Sequence, residues 1–164
     1  SHGRESEWLG FVNENPETAF AEPTIRQARA NMMAAAMMGA VAFQKGLGAV
    51  HALSHPIGAI YGTHHGTTNA VLIPAVLQLN RSAIEATIER VASYLALDGG
   101  FDGFCARVEA LNTALGIPKT LTELGLDQPD IEQIIRGALI DPSCGGNPIE
   151  LTADNLRRVL MASL

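Results

Sequence analysis

Four of the five histidines in this 164-residue chain lie between positions 51 and 65. They are His51, His55, His64 and His65, and only His2 lies elsewhere. Imidazole is the commonest side-chain metal ligand in proteins and the usual group that exchanges protons near neutral pH. The concentration of histidines in this segment therefore predicts a metal site or a proton-transfer site.

The spacing of these histidines favours two rings on one helix face and a third ring brought back by a turn. His51 and His55 are four residues apart, which places both imidazoles on the same side of a short helix. His65 follows a proline and glycines, which permit a tight turn and close approach of the backbone. Nitrogen ligands suit zinc, ferrous iron, nickel or copper better than calcium or magnesium. A purely structural role is an equal alternative for the helical pair, and His64 is expected to face solvent or substrate.

Charge and composition exclude several classes of protein. The net charge is −6, and the chain lacks the clustered Lys and Arg that a nucleic-acid partner requires. Hydrophobic residues make up 47% and charged residues 17%, which indicates a soluble folded domain, and no apolar run approaches the ~20 residues of a membrane span. Cys105 and Cys144 are too few for a disulfide framework, so we expect reduced thiols in a cytoplasmic protein without a targeting segment.

Apolar residues recur with the helical period through most of the chain, and little of it alternates as strands do. The segment from Pro23 to about Lys45 predicts a central helix buried on all sides, with the methionines of 32–38 packed in the core. The second half predicts a set of amphipathic helices that pack into a bundle. Their apolar stripes fall at 84–95, 104–111 and 131–139.

Helix boundaries are predicted from prolines and capping residues. A short helix should run from Ala49 to His55 and end or kink at Pro56. A second apolar helix is expected over 67–79, with a stop at Asn80 and a new cap at Ser82.

The later capping signals lie in a chain without an evident linker. Thr120–Glu123 and Thr152–Asn155 each look like a helix start, the second without the usual Glu or Gln. A turn-rich connector spans 141–148. With no internal repeat or low-complexity segment, residues 1–164 predict a single helical domain, in which 1–3 are the remnant of a tag.

A set of motifs gives the chain a resemblance to a known family. The motifs are Gly46-Leu-Gly48, His51-Ala-Leu-Ser-His55-Pro-Ile-Gly58, His65-Gly66, Asn69-Ala70, Pro74, Asn80, Leu115-Gly-Ile-Pro118, Leu124-Gly125, Asp141-Pro142 and Gly146-Asn-Pro148. Over roughly residues 28–164 the sequence resembles the iron-containing, or group III, alcohol dehydrogenases. The resemblance implies an all-α helical bundle like the C-terminal domain of the dehydroquinate synthase-like and iron-containing alcohol dehydrogenase fold. His64 is a departure, since the family usually has proline there.

The resemblance also implies roles for three histidines. His51 and His65 correspond to two of the four ligands of a catalytic ferrous ion or zinc, and His55 corresponds to the histidine implicated in proton relay. The family's other two ligands, an Asp and a His, precede this region, as does the nucleotide-binding domain that holds NAD or NADP. The glycines of 46–48 do not replace that domain, because a third glycine is missing and they follow a predicted helix rather than a strand.

Three hypotheses of function follow. The favoured one is the C-terminal metal-binding domain of an NAD(P)-dependent alcohol dehydrogenase, which acts on a small alcohol or aldehyde and is inactive as an isolated fragment. The alternative is a stand-alone, non-catalytic helical module that binds metal or a partner. The third is a structural module whose histidines have no function. A bundle face that lacks its domain partner predicts homo-oligomers through exposed apolar surface, whereas nucleic-acid and membrane partners are not expected.

Overall fold

A computed structural model of the chain describes residues 15–42 and 47–164 and is helical. Within those ranges it contains seven α-helices, one 3-10 helix and no β-strand. The helices are α1 (Pro16–Ala21), α2 (Arg26–Ala42), α3 (Ala49–Tyr61), α4 (His65–Tyr94), α5 (Gly100–Ala114), α6 (Ile131–Ile140), the 3-10 helix (Pro142–Gly146) and α7 (Ala153–Ser163). The predicted all-α fold class is confirmed.

Contacts between residues divide the chain into two compact units. Of the described residues, the first unit comprises 15–42 and Ala86–Leu115, and the second comprises 47–85 and Gly116–Leu164. All four clustered histidines belong to the second unit, which we call the histidine unit. The expectation of a single domain stays a prediction.

The histidine unit has an aliphatic core built from α3, α4, α6 and α7. Helix α3 packs on α6 and on the 3-10 helix, and α6 packs on α7. The large side chains with no exposed area include Leu53, Ile57, Leu72, Ile134, Leu156 and Leu160. Burying each contributes about 1.5–3 kcal/mol to folding. This core fixes the two helices that carry the histidines.

Of the two outcomes predicted at Pro56, a helix end or a kink, the end is wrong, because α3 continues through the proline to Tyr61. The proline packs tightly against α6, where a Cβ added at Gly137 would lie 2.7 Å from the Pro56 Cβ. The close packing offsets the backbone hydrogen bond that proline cannot make. The helix ends at Gly62, whose φ of 69° is a left-handed conformation that favours glycine.

The predicted break at Asn80 and Ser82 is also wrong. Helix α4 runs for 30 residues, through Pro74 and through both residues of the expected break. Asn80 does not cap a helix, because its amide exchanges hydrogen bonds with the amide of Asn147, at 2.8 and 3.1 Å. Because its side chain bonds to a distant residue and does not compete for the helix backbone, Asn80 can lie in the middle of a helix.

Helix α2 lies within the segment predicted as a central helix, but it is not buried on all sides. Ala28 and Ala35 are buried, whereas Met33 is 72% and Met37 is 71% exposed. The prediction that the methionines pack in the core is therefore wrong for these two. Met38 lies outside the residues whose side chains are described.

The helices predicted around 104–111 and 131–139 are confirmed as α5 and α6. Thr152 begins α7 with a capping box in which Asn155 replaces the usual Glu or Gln. Thr120 and Glu123 also make capping hydrogen bonds, but the residues that follow directly form a turn and not a helix. None of the described helices is both long and apolar enough to cross a membrane.

Candidate metal and proton-transfer site

Three of the four clustered histidines meet in the histidine unit. The ring centres lie 5.2 Å apart for His51 and His65, 5.4 Å for His55 and His65, and 5.8 Å for His51 and His55. His51 and His55 project from one face of α3, as their spacing predicts, and His65 is the first residue of α4. The turn between the two helices brings the third ring back to the first two.

The amide of Asn69 holds the rings of His51 and His65 with the same atom. Its Nδ2 lies 3.1 Å from Nε2 of His65 and 3.4 Å from Nε2 of His51. An amide nitrogen only donates, so both Nε2 atoms accept and each neutral ring carries its proton on Nδ1. The Asn69 Oδ1 is buried and has no hydrogen-bond partner among the described residues. The two ring lone pairs thus converge beside an unsatisfied buried oxygen.

The buried hydroxyl of Ser54 supports the same protonation of His65. Its Oγ lies 3.4 Å from Nδ1 of His65 and 3.4 Å from the carbonyl oxygen of His51. The hydroxyl can accept from the ring and donate to the carbonyl, which leaves Nε2 of His65 as the basic nitrogen. Metal-binding histidines typically have their second ring nitrogen held in this way.

Electrostatics favour the neutral form of His51. Burial, followed by the neighbouring charges of His65 and His55, lowers the pKa of His51, although Asp141 opposes the shift. A neutral imidazole is the form that binds a metal ion. The ring is therefore suited to be a ligand near neutral pH.

The third ring is held by a carboxylate that sequence analysis placed in a connector and in a family motif, without a role at the site. His55 Nδ1 lies 2.8 Å from Oδ2 of Asp141, whose other oxygen accepts from the backbone N–H of Ser143, also at 2.8 Å. Burial raises the pKa of Asp141, but the hydrogen bonds from Ser143 and His55 outweigh it and the net shift is downward. Asp141 is thus an ionised partner for His55.

His64 faces away from this cluster, as predicted. It is exposed, and its Nδ1 accepts from the backbone N–H of Thr67 at 3.3 Å, so it acts as the N-cap of α4. Thr68 is buried and donates to Thr63 at 2.8 Å. These residues shape the turn through hydrogen bonds to one another.

The described residues offer only part of a metal coordination sphere. Within 15–42 and 47–164, no group of three or more His, Cys, Asp or Glu side chains is arranged to hold a metal ion. The three rings gather, but His55 is turned to Asp141. The ligand roles of His51 and His65 and the catalytic role of His55 stay predictions.

Sequence analysis gave one residue of this cluster, Asp141, no role at the site. Asp141 is 86 positions from His55, and no local pattern pairs them. For the amide of Asn69 the sequence leaves two roles open, orienting the groups of the site or capping a helix, and in the structure the amide reaches both rings from a position four residues after His65.

The all-helical arrangement is that of known oxidoreductases. The chain superimposes on a 1,3-propanediol oxidoreductase crystal structure with a TM-score of 0.93 and 26% identity, over 99% of this chain and 44% of that one. A sulfoacetaldehyde reductase from Bifidobacterium kashiwanohense, solved in complex with NAD+, gives a TM-score of 0.84 at 22% identity, over 99% of this chain and 43% of the other. At that identity the second comparison shows the fold alone.

Residues 5–164 match the model of the Fe-containing alcohol dehydrogenase family, C-terminal. The chain belongs to this family, and the match begins well before residue 28, where the resemblance became recognisable. The 4-hydroxybutyrate dehydrogenase of Cupriavidus necator is 40% identical in an alignment of 157 positions, which covers 90% of this chain and 41% of that protein. The chain therefore spans about two fifths of the length of this relative.

Proposed function

We propose that this chain provides the metal-binding helical part of an NAD(P)-dependent alcohol dehydrogenase that interconverts a small alcohol and its aldehyde or ketone. The observation that carries the proposal is the convergence of Nε2 of His51 and Nε2 of His65 on one amide group. Family membership supports the reaction class, and the activity for which the Cupriavidus relative is named supports a small hydroxylated substrate.

The donor set fits ferrous iron or zinc. Imidazole nitrogens suit either ion, and the buried Asn69 Oδ1 is a further polar atom beside the two Nε2 atoms. When bound, the ion supplies Lewis acidity, which lowers the pKa of an alcohol and polarises a carbonyl. The remaining ligands would come from outside the described residues, as the family resemblance implies.

The chain's own residues would bind and orient the reactants and carry the proton. His51 and His65 would bind the metal ion. Ser54 and Asn69 would keep the basic nitrogens of these two rings facing the same point. His55 is 41% exposed, so one side of it is accessible to water and the other adjoins the two rings. It is placed to take the hydroxyl proton of an alcohol on one ring nitrogen and to return it to solvent, as a general base does.

The nicotinamide cofactor, NAD or NADP, would be bound by a nucleotide-binding domain of the complete enzyme. A neighbour in the structural comparison was solved with NAD+. We propose that the 164-residue chain alone transfers no hydride, because its described residues supply neither a full ligand set nor a dinucleotide site.

A chimaera tests the proposal. The chain replaces the corresponding segment of the Cupriavidus 4-hydroxybutyrate dehydrogenase, and alcohol oxidation is followed by formation of the reduced nicotinamide. We expect activity in the chimaera and none in the chain alone. Because loss of even an outer-shell partner costs about 10–100-fold, His51→Ala or His65→Ala should lower the activity by more than ~100-fold.

His64→Asn is the matched control, because His64 is adjacent to His65 but exposed, and an Asn side chain can still accept from the Thr67 N–H at the start of α4. It should leave turnover within a few-fold of the parent chimaera. A folded chimaera in which His51→Ala keeps full activity would contradict the proposal.

Zinc titration of the chain separates this function from the stand-alone metal-binding module. Two imidazoles alone should bind zinc weakly, and each alanine variant should weaken the binding further. Tight zinc binding by the isolated chain would favour the stand-alone module. An affinity that neither His51→Ala nor His65→Ala changes would favour histidines without a metal function.

A further inference from the structure

We propose that Asp141 is a positioning residue that fixes the protonation of the His55 ring, with the proton on Nδ1 and the lone pair on Nε2. This inference rests on the proposed function, because it names the residue that prepares His55 for proton transfer. The geometry that carries it is the 2.8 Å hydrogen bond between His55 Nδ1 and Asp141 Oδ2. A carboxylate only accepts, so the ring must donate from Nδ1.

The carboxylate is itself fixed in orientation. Asp141 stands between α6 and the 3-10 helix, and its Oδ1 accepts from the backbone N–H of Ser143. Its side chain is 13% exposed, compared with 41% for His55. The better buried partner is thus bonded through both oxygens, and it determines the orientation of the more exposed ring.

This arrangement fixes the orientation of His55 beside the two predicted ligands. The bond to Asp141 holds the ring of His55 nearly parallel to that of His65, with an angle of 15° between the planes. The Nε2 lone pair is the only basic position left on the neutral ring, and the carboxylate stabilises the imidazolium that forms when it takes a proton. An Asp that orients a catalytic imidazole in this way is a recurrent device in enzymes.

The Asp141→Asn variant tests the tautomer directly. The Asn side chain has one acceptor oxygen, which the Ser143 N–H requires, so its amide nitrogen must face His55 and donate to Nδ1. The ring proton should then move to Nε2. Long-range ¹H–¹⁵N correlation spectra of the chain labelled with ¹⁵N-histidine distinguish the two tautomers. They are recorded near pH 8, above the ordinary histidine pKa of about 6.5, and the signals of His55 are identified by their loss in His55→Gln.

We expect the protonated nitrogen of His55 to be Nδ1 in the parent chain, Nε2 in Asp141→Asn, and a mixture of both in Asp141→Ala. Asp154→Asn is the matched control, because its carboxylate is 90% exposed and bonded to Arg157, and it should change nothing. A parent chain with the proton of His55 on Nε2, or an Asp141→Asn variant that keeps it on Nδ1, overturns the inference.

The spectra require neither metal nor cofactor, so their outcome is independent of the chimaera assay. If the chain shows the tautomer switch but the chimaera has no activity, the proposed function is overturned and the inference about Asp141 is not. In an active chimaera, Asp141→Asn should lower kcat by about 10²–10⁴-fold, the range of a lost general base, with a much smaller change in KM.

Discussion

The Asn69 amide occupies a position that a metal ligand could take. In a tetrahedral site with bonds of about 2.1 Å, neighbouring ligand atoms lie about 3.4 Å apart. The Asn69 Nδ2 lies 3.1 and 3.4 Å from the two ring nitrogens, which matches that separation. The amide nitrogen, having no lone pair to offer, marks a ligand position without filling it.

Replacing Asn69 with Asp should therefore create a third ligand. Asp has the same shape, and its second oxygen would lie where Nδ2 lies now. We expect Asn69→Asp to bind zinc at least ~10-fold more tightly than the parent chain, since a carboxylate oxygen is a zinc ligand. Competition with a coloured chelator measures the change. The gain should vanish in Asn69→Asp combined with His65→Ala, and an unchanged affinity in the single variant would show that the three atoms do not converge.

Asp141 should also make the chain sensitive to acid. Its pKa in the folded state lies below the ordinary value of 3.8, because the hydrogen bonds from Ser143 and His55 outweigh burial. The stabilisation is thus fully present above that value and is lost as the pH falls through the lower, folded pKa. Melting temperatures between pH 6 and pH 2.5 should fall less steeply in Asp141→Asn than in the parent. The Asp154 side chain is 90% exposed, so in Asp154→Asn the melting temperature should fall with pH as steeply as in the parent.

At the scale of elements, one side chain connects the two helices that carry the histidines. Asn147 accepts from the backbone N–H of Ala49 in the first turn of α3 and exchanges two hydrogen bonds with Asn80 in the middle of α4. It also donates to the carbonyl of Ile149. The loop that follows the 3-10 helix thereby fixes the start of α3, two residues before His51.

The contact between α3 and α6 depends on a missing side chain. Gly137→Ala places a Cβ 2.7 Å from the Pro56 Cβ, which is closer than packed atoms allow. We expect it to lower the free energy of unfolding by about 1–3 kcal/mol, as overpacking does, and denaturant unfolding measures the change. Gly145→Ala is the control, since an added Cβ there meets nothing within 4 Å. Equal stability of the two variants would mean that α3 and α6 are not closely packed at Pro56.

Sequence reasoning predicted the class of fold and the gathering of three histidines, but it misplaced the ends of the site helices. Local rules end a helix at Pro56 and at Asn80, and both rules describe a chain without tertiary partners. Here Gly137 accommodates the proline and Asn147 pairs with the amide. The partners are 67 or more positions away along the chain, so no local pattern contains them.

At the scale of the whole molecule, the exposed methionines of α2 provide a place for association. Met33 and Met37 are one helical turn apart and more than 70% exposed, so they form an apolar stripe on a charged protein. Apolar surface left in water favours self-association. We expect the chain to form oligomers that grow with concentration, which sedimentation and light scattering measure.

Replacing both methionines with Glu should shift the chain toward monomer without loss of helix content in circular dichroism. The matched control is Ala110→Glu with Ala114→Glu, which adds the same charge at the same spacing to exposed positions of α5 in the same unit. If added charge alone prevented association, both pairs would act equally. If the α2 stripe is the contact between copies, only the replacement of the two methionines lowers the average mass of the oligomers. A parent chain that stays monomeric at millimolar concentration would contradict the prediction, because the stripe would then have no tendency to leave water.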